Sequence, residues 1–433
     1  MRGVPRREEM RGVPRREEMR GVPRRSVFDT LRERGFVSQC SAEDGLRKLL
    51  DTEQVTLYIG FDPTAESLHV GHLQQLMSMA HLQRAGHRPI ALVGGGTTRI
   101  GDPSGKTEMR KILPVETIAA NAELFRGQIS RFLDFSDGKA LMLDNAEWLA
   151  PLNYIEFLRD IGRHFSVNRM LSFETYKMRL ETGLSFIEFN YQLLQSYDYL
   201  VLYRRHGCRL QMGGDDQWGN IVAGMDLIRR IEGVEVFALT SPLVTRSDGK
   251  KMGKSEKGAL FLDPAMTRPY DFYQYWVNVP DADVQQFLLR FTFLPVAEIV
   301  DLCAARDEKI NEAKRRLALE ITTLVHGAGA AREAMEASQA AFETGGPGGL
   351  SGVPSIELPR AEMEQGMGIV DLFVRSTLCA TKSDARRLIS QGGAYVGRKN
   401  ITDIDAVISA DSAKDGVILL RAGKKRYHRI ILA

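Results

Sequence analysis

Three features of the chain predict an α/β architecture in which helices wrap a parallel sheet, followed by a helical region and a small α+β module. From Val55 onward, short apolar runs rich in β-formers alternate with long stretches of helical periodicity. After Pro242 the strand-like runs stop, and residues from about 280 to 343 read as helices. With 433 residues, 43% of them hydrophobic and 26% charged, the chain has the length for two or three domains and the composition of a folded soluble protein.

Residues 1–25 are a tandem repeat, MRGVPRREE twice and then MRGVPRR. With Pro every nine residues and no apolar periodicity, it reads as disordered. A nucleic-acid arm or a targeting segment are the alternatives, and the glutamates count against targeting. In residues 26–242 the runs VTLYIG, PIALVG, ALMLD, CRLQMG and VFALT supply the strands of the sheet. Such sheets bind ligands just beyond the carboxyl ends of their strands. Residues 243–344 hold a Gly-spaced lysine loop and then helices such as INEAKRRLALEITTLVH. GGPGGLSGVPS opens residues 345–366 with linker composition. Residues 367–433 resume with two short helical patterns, a Gly392-Gly393 turn and the strands AYVG and GVILLR.

No apolar run approaches the roughly 20 residues of a membrane span, and no signal-peptide pattern opens the chain. Cys40, Cys208, Cys303 and Cys379 lie far apart, which argues against a zinc knuckle or a disulfide framework and fits a reducing compartment. The expectation is a cytoplasmic protein with no membrane partner. Of the total charge of +3, the first 25 residues carry +5 and residues 367–433 carry +6, which leaves −8 for the body between them. Basic flanks on an acidic body point to a polyanion held at the edges of the molecule.

GDPSGKT, Gly101 to Thr107, looks like a phosphate-cradling loop but has three residues between its glycines where that loop needs four. Ile100 stands where the first glycine should be, and Arg99 stands where a dinucleotide fingerprint starting at Gly94 needs its third. Four other segments carry chemistry. In YIGFDPTAESLHVGHL, His69 and His72 share a helix face at i and i+3, with Ser67 as the expected N-cap and Gly71 leaving room for a flat ligand. A phosphate or adenine contact fits this spacing; a zinc pair would want i, i+4 and a glutamate. DGKKMGKS carries Lys250, Lys251 and Lys254 on a flexible loop that is either a solvated turn or a grip for a triphosphate. In FNYQLLQSYDYL, Tyr191, Gln195 and Asp198 fall within a stripe about 60° wide, either a polar pocket wall or a wet helix face. In QMGGDDQWGN, Asp216 follows a strand and a Gly turn, where an acid can bind a ribose hydroxyl, and Asp215 reads as solvated.

His-Val-Gly-His after the first strand with Lys-Met-Gly-Lys-Ser after the last resembles the paired signatures of class I aminoacyl-tRNA synthetases. GFDPTAESLHVGHL, IGDPSGK, FLRDIGRHFSVNRM, QSYDYL and DQWGNI narrow the resemblance to the bacterial tyrosyl-tRNA synthetase family, over residues from about 27 to 433. The resemblance implies a Rossmann-like parallel-sheet catalytic domain, a helical domain for the anticodon arm and an RNA-binding module like that of small-subunit ribosomal protein S-four. Tyr58 and Asp198 would then meet the phenolic hydroxyl of L-tyrosine, while Asp102, Tyr191 and Gln195 would hold its ammonium group and Gln211 and Gln217 would line the pocket. ATP would lie against Gly60, Asp62, Thr64, His69, Gly71, His72, Asp216, Lys251, Lys254 and Ser255. Thr64, His69, His72, Lys251 and Lys254 would carry the catalysis. Lys382, Arg386, Arg387, Lys424, Lys425 and Arg426 are the expected RNA contacts, the charge asymmetry pointing to the same tail. ATP with magnesium, tRNA(Tyr) and a homodimer follow from the resemblance; a resident metal and DNA do not. Met252 and Ser255 depart from the family's usual Phe and Thr, and Asp215 stands where a small residue is common.

Overall fold

The computed structural model describes residues 25–104, 112–245, 247, 254–255, 258–304, 308–343, 353–414, 416–423 and 426–433. Five of its strands are those expected from the apolar runs: β2 (Thr56–Phe61), β3 (Arg88–Val93), β4 (Leu141–Asp144), β5 (Cys208–Gly214) and β6 (Phe237–Ser241). They are mutually parallel, and a two-residue strand β1 (Gln39–Cys40) pairs antiparallel with β6, giving the order β1-β6-β5-β2-β3-β4. The central strands read as unbroken apolar runs because helices bury both of their faces, so alternation has no role. β1 is too short to leave a periodic signal.

On one face Leu73, Leu76 and Met77 of helix Val70–Arg84 pack in a core that continues without a break into Trp276, Phe287, Leu288, Phe291 and Leu317 of the following helices. On the other face helix Phe186–His206 packs with helix Trp218–Glu232 through Leu193, Tyr199, Leu200, Leu227 and Ile228. The longer of these starts on a reciprocal cap between Ser185 and Glu188 and stops at Gly207, whose φ of 62° is the left-handed conformation that ends helices.

Strand formation does not end at Pro242: Lys254–Ser255 and Gly258–Ala259 form a short antiparallel pair. Residues 355–358, inside the segment of linker composition, are the edge strand Ser355–Leu358 of the C-terminal sheet, paired parallel with Arg426–Leu432. That sheet has its own core around Ile369, Phe373, Ile389, Ile418 and Ile430.

Candidate active site

A cleft of about 420 Å³ opens where β2, β3, β5 and β6 end, and Tyr58, Gly60, Asp62, Thr64, His69, Gly71, His72, Asp102, Tyr191, Gln195, Asp198, Gln211, Asp216 and Gln217 all line it. The sheet explains much of this gathering. Tyr58 and Gln211 are directly in register on β2 and β5, so both side chains leave the same face. Asp62 follows β2 and Gly94 follows β3, and a Cβ on Gly94 would lie 2.0 Å from Asp62 Oδ1 and 2.6 Å from Thr97 Oγ1. Only glycine permits that approach.

A chain of hydrogen bonds crosses the floor of the cleft. Tyr191 donates its hydroxyl to Asp62 at 2.9 Å, and Thr97 donates to the other Asp62 oxygen at 2.8 Å. Asn145 donates to Thr97 Oγ1 at 3.0 Å and to Asp198 Oδ2 at 2.9 Å, and Trp148 Nε1 donates to Asp198 Oδ1 at 2.7 Å. Asp198 is 2% exposed, and burial pushes its carboxyl up to about 8 against the pull of those two donors. Burial together with the Asp198 charge raises the neighbouring Tyr58 hydroxyl well above its ordinary range. Beside this chain Tyr58 OH, Gln195 Oε1 and Gln211 Oε1 are buried with no hydrogen-bond partner among the described residues. Three unsatisfied polar atoms lining one cleft are a cost unless a polar ligand completes them. Across the cleft Gln217 donates to Asp102 at 2.7 Å, and Ser104 N–H closes a turn on the other Asp102 oxygen at 2.9 Å.

The histidines sit at the amino end of helix Val70–Arg84, with rings stacked 4.0 Å apart. His69, not Ser67, is the N-cap: its Nδ1 accepts from Gly71 N–H at 3.0 Å, while His72 Nδ1 accepts from His69 N–H at 3.1 Å. Both acceptor nitrogens are thereby used, which sets each neutral ring as the Nε2–H tautomer, a donor suited to an oxyanion. Ser67 is buried, donating to the Leu68 carbonyl and accepting from Asp263 N–H. Gly71 has a second reason besides ligand access, since a Cβ there would stand 2.7 Å from the His69 ring. Thr64 is exposed at the rim.

Asp215, expected to be solvated, is half-buried and held by two hydroxyls. It accepts from Ser38 Oγ at 2.7 Å and Thr240 Oγ1 at 2.6 Å, fastening the edge strand β1 beside β6. Lys106, Lys250, Lys251, Lys424, Lys425 and the side chains of Lys254 and Ser255 lie outside the described residues. In the C-terminal module Arg386 is exposed, Lys382 pairs with Asp371 at 2.6 Å, Arg387 with Asp384 at 2.8 Å, and Arg426 donates to the Leu378 carbonyl at 3.0 Å. No motif marks Asn145, Trp148 or Thr97. Asn145 does directly follow the ALMLD strand, the same position from which Asp62 and Gly94 follow theirs.

The family described as tRNA synthetases class I (W and Y) matches residues 50–343, and the tyrosine–tRNA ligase C-terminal domain matches residues 348–430. The tyrosine–tRNA ligase of Caldanaerobacter subterraneus subsp. tengcongensis is 55% identical over 407 residues, covering 94% of this chain and 99% of that one. That of Borrelia hermsii is 56% identical over 402 residues, covering 93% and 98%. A C-terminally truncated mitochondrial tyrosyl-tRNA synthetase from Aspergillus nidulans superimposes with a TM-score of 0.67 at 30% identity, over 74% of this chain and 95% of that one. Since the likeness runs through the parallel sheet, the helices and the C-terminal module alike, this chain belongs to the tyrosine–tRNA ligase family of class I aminoacyl-tRNA synthetases.

Proposed function

We infer that the chain ligates L-tyrosine to tRNA(Tyr) in two steps. The tyrosine carboxylate attacks the α-phosphorus of ATP, giving tyrosyl-adenylate and pyrophosphate, and the terminal adenosine of the tRNA then takes the tyrosyl group from the adenylate. The observation that carries this reading is the set of unpartnered buried atoms, Tyr58 OH, Gln195 Oε1 and Gln211 Oε1, beside a carboxyl held in place by Asn145 and Trp148. Tyr58 and Asp198 receive the phenolic hydroxyl. Asp102, Tyr191 and Gln195 hold the ammonium group, Gln217 and Gln211 line the pocket, and Asp216 takes the ribose. Thr64, His69 and His72 meet the phosphates from the catalytic domain, and Lys251 and Lys254 meet them from the lysine segment. No protein nucleophile is needed, so catalysis is positioning plus stabilisation of the departing pyrophosphate.

Magnesium enters with ATP as part of the substrate. Tyr154, Ile155, Val167, Met178, Leu180 and Phe186, all large, apolar and exposed within one stretch of chain, are the surface we assign to a second copy in a homodimer. A cytoplasmic location is the reading that the scattered cysteines support. The test is pyrophosphate exchange with each amino acid in turn: tyrosine alone should support it, and exchange with tryptophan would move the chain to the other branch of its family. Lys254→Ala should slow adenylate formation by about two to four orders of magnitude and Lys106→Ala much less. The reverse ranking would revive the phosphate-loop reading of GDPSGKT.

A further inference from the structure

Helix Val284–Phe291 is held at both ends by side chains with distant partners. At its carboxyl end the buried guanidinium of Arg34 donates to the carbonyls of Leu289 and Thr292, which the helix terminus leaves unsatisfied, and to that of Leu294 just beyond. Along its flank Phe287 and Leu288 share one core with Leu73, Leu76 and Met77 of the histidine helix. At its amino end stands Asp283, 1% exposed.

An aspartate in that position would ordinarily cap its own helix. Asp283 does not bond the helix N–H groups. Instead it accepts from the backbone N–H of Ser247 at 3.0 and 3.1 Å, from Ser247 Oγ at 3.1 Å and from Gln286 Nε2 at 2.8 Å. Burying a carboxylate is costly unless its oxygens are satisfied, and here the satisfaction comes chiefly from one residue 36 positions away. Ser247 lies just before the residues that carry Lys250 and Lys251. On the far side of those lysines, beyond the Lys254–Ser255 strand, Leu260 and Leu262 bond the backbone of Val70 and Leu68 around His69 at 3.0 and 2.8 Å. One root of the lysine segment is therefore on the histidine helix and the other is on Asp283.

We propose that Asp283 is a positioning residue for adenylate formation, fixing the amino-terminal root of the lysine segment through Ser247 on a helix braced against the histidine helix. This rests on the reading of that segment as the grip on the triphosphate. Displacing reacting groups by about 1 Å can cost on the order of 100-fold, so Asp283→Ala should slow single-turnover adenylate formation at saturating ATP by about 10- to 100-fold. Tyrosine Kd should stay within about twofold, because neither Ser247 nor Asp283 lines the cleft that holds Tyr58, Asp198 and Gln211. Asp283→Asn keeps the shape but loses an acceptor, and should show the same split to a smaller degree even if the alanine variant does not fold. In a Lys254→Ala background either substitution should add nothing, the mark of two residues acting through one contact. Independent, multiplying effects, a parallel fall in tyrosine affinity, or a wild-type rate in Asp283→Asn would overturn the proposal. Wild-type adenylate formation in Lys254→Ala alone would instead defeat the reading on which it rests.

Discussion

Asn145 donates through one amide nitrogen to Asp198 at 2.9 Å and to Thr97 at 3.0 Å, so a single side chain from the end of β4 aligns the carboxyl at one end of the cleft with the Asp62–Tyr191 pair at the other. The ends that would grip the hydroxyl and the ammonium group of tyrosine are thus one connected network, and damage at either end should be felt at both.

Removing Asp198 leaves Trp148 Nε1 and one of the two Asn145 amide hydrogens without an acceptor and, on the proposed reading of the pocket, takes away the partner of the phenol. Asp198→Ala should abolish tyrosine binding or the rejection of phenylalanine, whereas Tyr58→Phe should weaken discrimination less. Asn145→Ala should fall between them, weakening tyrosine binding by about 1–3 kcal/mol, roughly 5- to 150-fold. Pyrophosphate exchange with tyrosine and with phenylalanine reads all three. Intact rejection of phenylalanine in Asp198→Ala would show that the pocket has been assigned to the wrong residues.

The same carboxyl gives a pH signature. Burial raises it from 3.8 to about 8, so its contribution to folding is complete below the unfolded value and is lost as pH rises through the folded one. Between about pH 5 and pH 9 the Tm of the unliganded protein should therefore decline relative to that of Asp198→Asn, which has no proton to lose. Parallel curves for the two proteins would mean that Asp198 is ionised across the whole range.

Two adjacent acids should separate cleanly. Asp215 is tied to Ser38 and Thr240 and faces the edge strand, while Asp216 lines the cleft. Asp215→Ala should lower stability in urea by about 1 kcal/mol and leave adenylate formation unchanged. Asp216→Ala should raise the KM for ATP with little change in the urea midpoint. If Asp215→Ala slowed the chemistry as much as Asp216→Ala did, the edge strand would be part of the nucleotide site.

The strands carrying the cleft are legible because a fully buried parallel strand is an unbroken apolar run; Asp62 and Asp216 stand out because they come just after such runs, and Tyr191, Gln195 and Asp198 because they share one helix stripe. What escaped was set by pairing across long separations. Ser355–Leu358 looks like linker because its partner, Arg426–Leu432, lies some seventy residues on. Asp215 looked solvated because nothing local announces Ser38 or Thr240. Ser67 is a better cap than His69 on residue preference alone, and it lost that place because its hydroxyl is taken by Leu68 and Asp263. Asp283 leaves no signal, since its use depends chiefly on Ser247, 36 residues away.

The basic tail can now be cut where the fold allows. Because Ser355–Leu358 completes the C-terminal sheet and Val353 packs with Leu419, a deletion should begin at Val353 rather than at Met367, which would strand an unpaired edge. The histidine and lysine segments both precede that point, so tyrosine-dependent pyrophosphate exchange should survive nearly intact. Charging of tRNA should not, because the cut removes a net charge of +4 and leaves residues 26–352 with −6, a body that repels a polyanion. Each phosphate neutralised by the tail releases counterions, so the full chain should lose tRNA affinity steeply with salt and the truncated chain should show a much flatter dependence. Within the tail the residues should not be equal. Lys382 and Arg387 already hold Asp371 and Asp384, and each must trade a carboxylate for a phosphate, whereas Arg386 is exposed. Arg386→Ala should therefore reduce the salt slope by about one, and Lys382→Ala by less. The measurement is aminoacylation beside pyrophosphate exchange across a salt series, and an unchanged tRNA affinity and slope in the truncated enzyme would show that the tail is a solvated surface and that the RNA is anchored elsewhere.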